Sequence, residues 1–215
     1  EVDNTLSEVQ SLALGESFTE SWQVTSADGT TTSTITVTIN GTNDDPVITG
    51  VATGAVTEDV TLSATGQLSQ DDVDTSNTHV WTVEGSTGDY GTLTVDSTGQ
   101  WSYALDNAHP DVQALPVGGT LTEEITVRVT DNDGGFDEQV VTITINGTND
   151  VPEISAGSDL SATITELADG DPEENTMDHV ETGTLQVSGL DATETHTVTA
   201  APQGGGYLGT FTPGG

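Results

Sequence analysis

Apolar and polar residues alternate along most of this chain. In "LTEEITVRV" (121–129), Leu121, Ile125, Val127 and Val129 share one face, interrupted by Glu123. In "VVTITIN" (140–146), Val141, Ile143 and Ile145 do the same. A two-residue period marks a strand with one buried face. The pattern predicts short strands over 47–50, 61–69, 78–84, 91–95, 100–105, 120–130 and 138–146. "VDSTGQW" (95–101) reads as a hairpin turn, with Gly99 free to take positive φ. Seven short antiparallel strands in about a hundred residues predict an all-β, immunoglobulin-like sandwich. Trp81, Trp101 and Tyr103 are its expected core aromatics.

The pattern also repeats. "INGTNDDPVI" (39–48) returns as "INGTNDVPEI" (145–154), an offset of 106 residues. "VDNTLSEVQSL" (2–12) matches "LDNAHPDVQAL" (105–115), "SFTES" (17–21) matches "TLTEE" (120–124), and "TSADG" (25–29) matches "TDNDG" (130–134). Downstream, "GQLSQDDVDTSNTHVWTV" (66–83) matches "GTLQVSGLDATETHTVTA" (183–200), which sets Asp74 on Asp191 and His79 on His196. Residues 45–150 thus read as one complete unit, 1–44 as the C-terminal part of a preceding repeat, and 151–215 as the N-terminal part of a following, divergent one. The chain begins at Glu1 and reads as a section of a longer polypeptide.

Composition sharpens this. One basic residue, Arg128, stands against 36 Asp plus Glu, for a formal net charge of -35. Such a chain repels nucleic acid and anionic membranes, and its carboxylates must be solvated or neutralised by cations. With no cysteine, disulfides and thiolate metal sites are excluded. No apolar run is long enough to insert in a membrane. Residues 168–182, "ADGDPEENTMDHVET", lack any strand pattern. No nucleophile elbow, His-Glu-x-x-His or phosphate loop occurs, so a catalytic role is not expected.

The runs "TEDVTLSATGQLSQDDVD" (57–74), "GDYGTLTVDSTGQWSYALDN" (88–107), "VQAL" (112–115), "LTEEITVRVTDNDGG" (121–135) and "VTITINGTND" (141–150) resemble the VCBS repeat of giant bacterial surface proteins, many of them RTX-type adhesins. The resemblance implies tandem cadherin-like sandwiches in an extended, calcium-rigidified stalk at the cell surface, exported by type I secretion and serving adhesion or biofilm formation. Copy three departs most: "TEDV" becomes "TELA" and "DDVD" becomes "SGLD".

Calcium takes six to eight oxygens, shared among carboxylates, amide carbonyls and water. Acidic clusters stand where strands end: "TED" (57–59), "DDVD" (71–74), "LDN" (105–107), "TDNDG" (130–134) and the Asn-Asp pairs before Pro46 and Pro152. Successive loops of a sandwich alternate between its poles. Asp71, Asp72, Asp74, Asp131 and Asp133 are expected at one pole of 45–150, and Glu58, Asp59 and Asp106 at the other. By similarity to cadherins, a first Ca2+ junction would use Asp3, Asn43, Asp44 and Asp45 with Asp72, Asp74, Asp131 and Asp133. A second would use Glu58, Asp59, Asp106, Asn149, Asp150 and Asp191. Asp, Asn and Gly also populate turns for local reasons, which is the competing explanation of each cluster taken singly. His79 and His196 are expected to be structural.

The expected function is a non-catalytic extender of a large bacterial adhesin, whose partners are the neighbouring repeats of the same chain. The alternative is a module of that adhesin that binds a surface glycan or host protein, through the insert at 168–178 or through Trp22, Trp81 and Tyr207.

Overall fold

The computed structural model describes residues 2–155, 157–165, 169, 181–189, 191, 197–201, 210 and 212. The chain divides into two units, Glu1–Val112 with Thr120–Asn146, and Gln113–Gly119 with Gly147–Gly215. In chain order the first begins with a short helix, α1 (Ser7–Gln10), and a hairpin of β1 (Ser17–Thr25) and β2 (Thr32–Asn40). Then come β3 (Val47–Gly50), β4 (Thr53–Thr57), β5 (Ser63–Asp71), β6 (His79–Glu84), β7 (Gly91–Val95), β8 (Gln100–Leu105), the helical turn α2 (Pro110–Gln113), β9 (Thr120–Asp131) and β10 (Phe136–Asn146). The second unit holds the short strands β11 (Glu153–Ile154) and β12 (Val187–Ser188).

Two four-stranded sheets, in the orders β4-β10-β9-β6 and β3-β5-β8-β7, form a sandwich. The all-β prediction holds, and all seven of its strands fall where the alternation put them, give or take two residues. The largest shifts are in β5, which begins and ends two residues later than predicted, and in β10, which begins two residues earlier. One strand escaped prediction altogether. The chain turns at Gly50, at φ 111, and β4 crosses to the opposite sheet, where it lies parallel to β10 from Thr142↔Thr53 to Asn146↔Thr57. The expected wholly antiparallel, seven-strand unit is therefore corrected to eight strands with one parallel pair. β4 was illegible because "TGAVT" carries little apolar alternation: Val56 is its one large buried side chain.

The missing bulk in β4 has a purpose. A β-carbon at Gly54 would press on the Trp101 ring, and one at Gly66 would overlap it. These two glycines make the slot that Trp101 fills, and its indole N–H donates to Val51 O at 2.7 Å. The buried core also holds Leu68, Leu93, Ile125, Val127, Val141, Ile143 and Ile145. Trp101 and Tyr103 are fully buried, as expected. Trp81 is not a core residue: it lies half-buried on the edge strand β6, close to Gly99. Gly99 does take positive φ, 82°, in the predicted turn.

Sequence-matched positions pair alike. Ser17↔Asn40 in the first hairpin corresponds to Thr120↔Asn146 in β9–β10, at matched sequence positions. β11–β12 pairs Glu153↔Ser188 and Ile154↔Val187, the repeat-matched counterparts of Val47↔Asp71 and Ile48↔Gln70.

Candidate metal centre

The segment leaving β2 is fastened to one pole of the sandwich by its polar atoms. The Asn43 side-chain amide donates to Asp131 Oδ2 at 3.0 Å, and Asn77 Nδ2 donates to Asn43 Oδ1 at 3.2 Å. The Asp44 backbone N–H donates to Asp74 Oδ2 at 2.8 Å. Two residues past Pro46, the Ile48 N–H donates to Asp137 Oδ2 at 2.7 Å. Proline restricts the backbone before it to extended geometry, so this stretch is short of conformational freedom before any contact forms.

Asp131 organises the facing loop. Its Oδ1 accepts the N–H groups of Asp133, Gly134 and Gly135 at 2.8, 2.6 and 2.9 Å. Burial pushes this carboxyl up, but the hydrogen bonds from Asn43 and from the Asp133, Gly135 and Gly134 backbone outweigh it, and its pKa lies below the usual carboxylate value. Asp133 itself contributes its backbone N–H to this turn. Asp72 is held twice, by the Asp74 N–H at 2.9 Å and by His79 Nε2 at 2.8 Å. His79 thus has the structural role expected of it. His196 lies outside the described residues.

Two observations bear on whether a cation suits this pole. Asp74 is 1% exposed, and its Oδ1 has no hydrogen-bond partner among the described residues. A buried carboxylate oxygen left without a partner is costly, and a bound cation relieves that cost. At Gly135 a β-carbon would collide with Asp45 Oδ1, Asn43 Nδ2 and Asp131 Oδ2, so three polar side chains from the linker and the loop converge on that point. Among the described residues no three His, Asp or Glu side chains form a metal cage by themselves. The oxygens converging here are carboxylate, with the Asn43 side-chain amide beside them, which fits a hard oxygen-seeking cation better than it fits zinc.

At the other pole, the Glu58 N–H donates to Asn146 O at 3.1 Å, and Glu58 is fully buried. Asp59, at φ 56, forms a reciprocal pair with Asn107: its N–H donates at 2.9 Å and its Oδ1 accepts at 2.6 Å. Asp106 accepts the Ala108 N–H at 3.1 Å. Asp3, its repeat counterpart, closes a similar local turn with Thr5 and lies on the surface. Asp3 is therefore engaged in its own turn. In the second unit, Asn149 Nδ2 donates to Asp150 O at 3.0 Å. Asp191, the counterpart of Asp74, is 3% exposed, and neither of its carboxylate oxygens has a hydrogen-bond partner among the described residues.

Three contributors were not predicted as site residues: Asn77, Gly135 and Asn132, whose Oδ1 accepts the Thr78 N–H at 2.7 Å. Asn77 and Asn132 carry no charge, and charge was the signal followed. The β1–β2 turn shows what one substitution changes. In the matching stretches "TSADG" and "TDNDG", Ser26 aligns with Asp131. There Asp28 takes over, accepting from Ser26 Oγ at 2.6 Å and from Thr30 N and Oγ1 at 3.1 and 2.9 Å, and these bonds bring its pKa down to about 2.

The sandwich is similar to a family of cadherin-like domains. Residues 43–147 match the family model described as the bacterial cadherin-like domain. The match runs from the first Asn of one linker to the glycine opening the next, so it takes in the Asn43–Asp45 joint. Among solved structures, the chain is similar to the protocadherin gamma B4 extracellular domain (17% identity, 67% of this chain and 23% of that one, TM-score 0.43). It is also similar to protocadherin gamma B7 extracellular cadherin domains 1–4 (20% identity, 71% and 37%, TM-score 0.41) and to mouse cadherin-23 EC22–24 (18% identity, 65% and 45%, TM-score 0.35). The chain spans less than half the length of each of these structures. No curated protein sequence matches it. No helix among the described residues is long and apolar enough to cross a membrane.

Proposed function

We propose that this chain is an extender segment of a large bacterial cell-surface adhesin, with Ca2+ bound at the joints between successive sandwiches. The buried Oδ1 of Asp74, without a hydrogen-bond partner among the described residues and beside the fastened Asn43–Asp45 linker, carries the proposal. Asn43, Asp45, Asp74 and Asp131 would hold the ion at the first joint, with Asp44, Asp72 and Asp133 shaping the loops around it. Calcium there would supply positive charge between two acidic surfaces in a chain with one basic residue. The chain's own residues do the rest: Pro46 limits the linker, Asn43 bridges it to Asp131, and His79 holds Asp72 in place.

The matched burial of Asp191 supports the same role in the following repeat, where Asn149, Asp150 and Asp191 would contribute. Glu58, Asp59 and Asp106 are the acidic groups that the complete repeat would offer to a downstream joint. The family match supports an extracellular, adhesive setting; export by type I secretion is part of the proposal. The alternative, recognition of a glycan or host protein, would draw on Trp22, which is exposed, or on Trp81, which lines a surface cleft; Tyr207 lies outside the described residues.

Calorimetry and small-angle scattering of the whole chain, with calcium and with chelator, test the reading. Calcium should raise the melting temperature and narrow the distribution of inter-domain distances, because a ligand bound only to the native state stabilises it by mass action. Identical melting and scattering in both conditions would refute it.

A further inference from the structure

The β1–β2 hairpin reproduces β9–β10 in register, yet its inner face is bare. Glu20, Trp22 and Val24 face Val37, Ile35 and Ser33 across the ribbon, as Glu123, Ile125 and Val127 face Ile143, Val141 and Gln139. Trp22 and Ile35 are 48% and 51% exposed, whereas their counterparts Ile125 and Val141 are 2% and 0%. The other face of the ribbon is written in Ser17, Thr19, Ser21, Thr34, Thr36 and Thr38. The hairpin is thus already sorted into an inside and an outside, although a two-stranded ribbon is marginal alone.

In the complete repeat the matching face is covered by β3-β5-β8-β7. That cover does more than bury carbon. Glu123 sits in the middle of the face, and its Oε2 accepts the Tyr103 hydroxyl at 2.5 Å. Its Oε1 accepts the Tyr90 N–H at 2.9 Å and the Asp89 N–H as well. Glu20 occupies the same place on the hairpin. A carboxylate in an apolar face rejects a purely apolar cover, because burying it without donors is costly.

The approach to the hairpin is also built. α1 matches α2 position for position, "SEVQ" for "PDVQ". The Gly41 N–H donates to Glu16 O at 2.9 Å, as the Gly147 N–H donates to Gly119 O at 3.0 Å. A β-carbon at Gly41 would strike Leu12 O and Ala13 O, as one at Gly147 would strike Leu115 O and Pro116 O. In the complete repeat this connector carries the chain from β8 into β9. Residues 2–16 are that connector, seated on the hairpin in the same way.

We infer that the inner face of β1–β2 is the docking surface for a four-stranded sheet of the β3-β5-β8-β7 type, joined in cis ahead of the α1 connector, and that Glu20 selects a sheet bearing a tyrosine at the position of Tyr103. Residues 151–215 of a second copy do not meet this specification, since they contain no counterpart of Gln100–Leu105. The inference rests on the tandem-repeat part of the proposed function and is independent of calcium.

The test extends the whole chain ahead of Glu1 with a copy of its own residues 45–103 and follows hydrogen exchange of residues 17–40 in chelator. Protection of the hairpin amides should rise by about 100-fold or more, since opening then requires unfolding of a packed domain. Phenylalanine at the copied Tyr103 should give back about tenfold of that protection, in line with loss of one buried hydrogen bond. Trp22→Ser with Ile35→Thr should remove the gain in the extended chain and leave melting of the 45–150 sandwich unchanged in the 215-residue chain. Unchanged hairpin exchange on extension overturns the inference. So does protection in the unextended chain that grows with concentration, which would make a second copy the occupant. Because chelator is present throughout, a failure here is distinct from a failure of the calcium reading.

Discussion

The Tyr103 hydroxyl donates to Glu123 Oε2 across the interior of the sandwich, from β8 in one sheet to β9 in the other. Glu123 is also the acceptor for the Asp89 and Tyr90 N–H groups, so one carboxylate ties the 86–90 loop and both sheets together. Gly91 leaves room for the phenol: a β-carbon there would overlap its oxygen. Tyr103→Phe should destabilise the domain by about 1–3 kcal/mol, because Glu123 keeps its burial and loses a donor. Glu123→Ala should cost more than Glu123→Gln, which retains an acceptor for the loop amides. Urea titrations of the three variants check this order.

The same pair sets an alkaline limit. Burial first, and then the Glu123 hydrogen bond and charge, push the Tyr103 pKa far above the ordinary tyrosine value. A folded-state pKa raised above the unfolded one, near 10, gives stability that is present below about pH 10 and is lost as pH rises beyond it. Unfolding free energy should therefore fall above about pH 10 in the native chain. Tyr103→Phe should be less stable at neutral pH but flatter over that alkaline range, as read from denaturant midpoints against pH.

Trp101 depends on two absent side chains. Gly66→Ala should cost about 1–3 kcal/mol, because a methyl group there meets the indole ring and forces it or β5 to shift. Gly54→Ala should be milder, its contacts being at the ring edge and at Ala64 and Ile143. Thermal melting distinguishes them. Equal, negligible losses would mean that the slot relaxes freely.

At the joint, Gly135→Ala should unfasten the linker without unfolding the sandwich. Its methyl group would displace Asn43, Asp45 and Asp131 together. The expected result is faster exchange of the Asp44 and Ile48 amides with little change in core protection. Acid should act similarly. The Asp131 carboxyl is held below its ordinary value, so its contribution is present above about pH 4 and fades as pH falls below that. Amide exchange at Asp133–Gly135 against pH measures the fading.

Asp74→Asn separates calcium from simple packing. The amide oxygen can still accept from Asp44, but the charge is gone. In chelator the variant should melt at or above the native temperature, because a buried negative charge, one of whose oxygens has no hydrogen-bond partner among the described residues, has been removed. In calcium it should lose most of the native chain's gain. Isothermal titration should show the loss directly.

The sandwich was legible because its strands alternate cleanly; β9 and β10 could be read to within two residues. β4 was not, because its job is to be small beside Trp101, and small residues leave no apolar stripe. The polar placements followed from topology, since loops of a sandwich collect at its two ends. The particular bonds did not. Asp72 turned out to be held by His79, and Asp131 to spend one oxygen on three backbone amides, choices made by a few ångströms of loop geometry. Glu123 looked like an interruption of the pattern. Only the positions of Tyr103 and the 89–90 amides, brought in from a different sheet, give that carboxylate its reason.

The parallel pairing of β4 with β10 has a mechanical consequence. Pulling the chain from both ends draws β4 and β10 in opposite directions along their length. The five paired positions from Thr53 to Thr57 then share the load in shear and must fail together. An antiparallel terminal pair would instead open like a zipper, one bond at a time. A tether assembled from such units resists tension through the very strand that the sequence concealed.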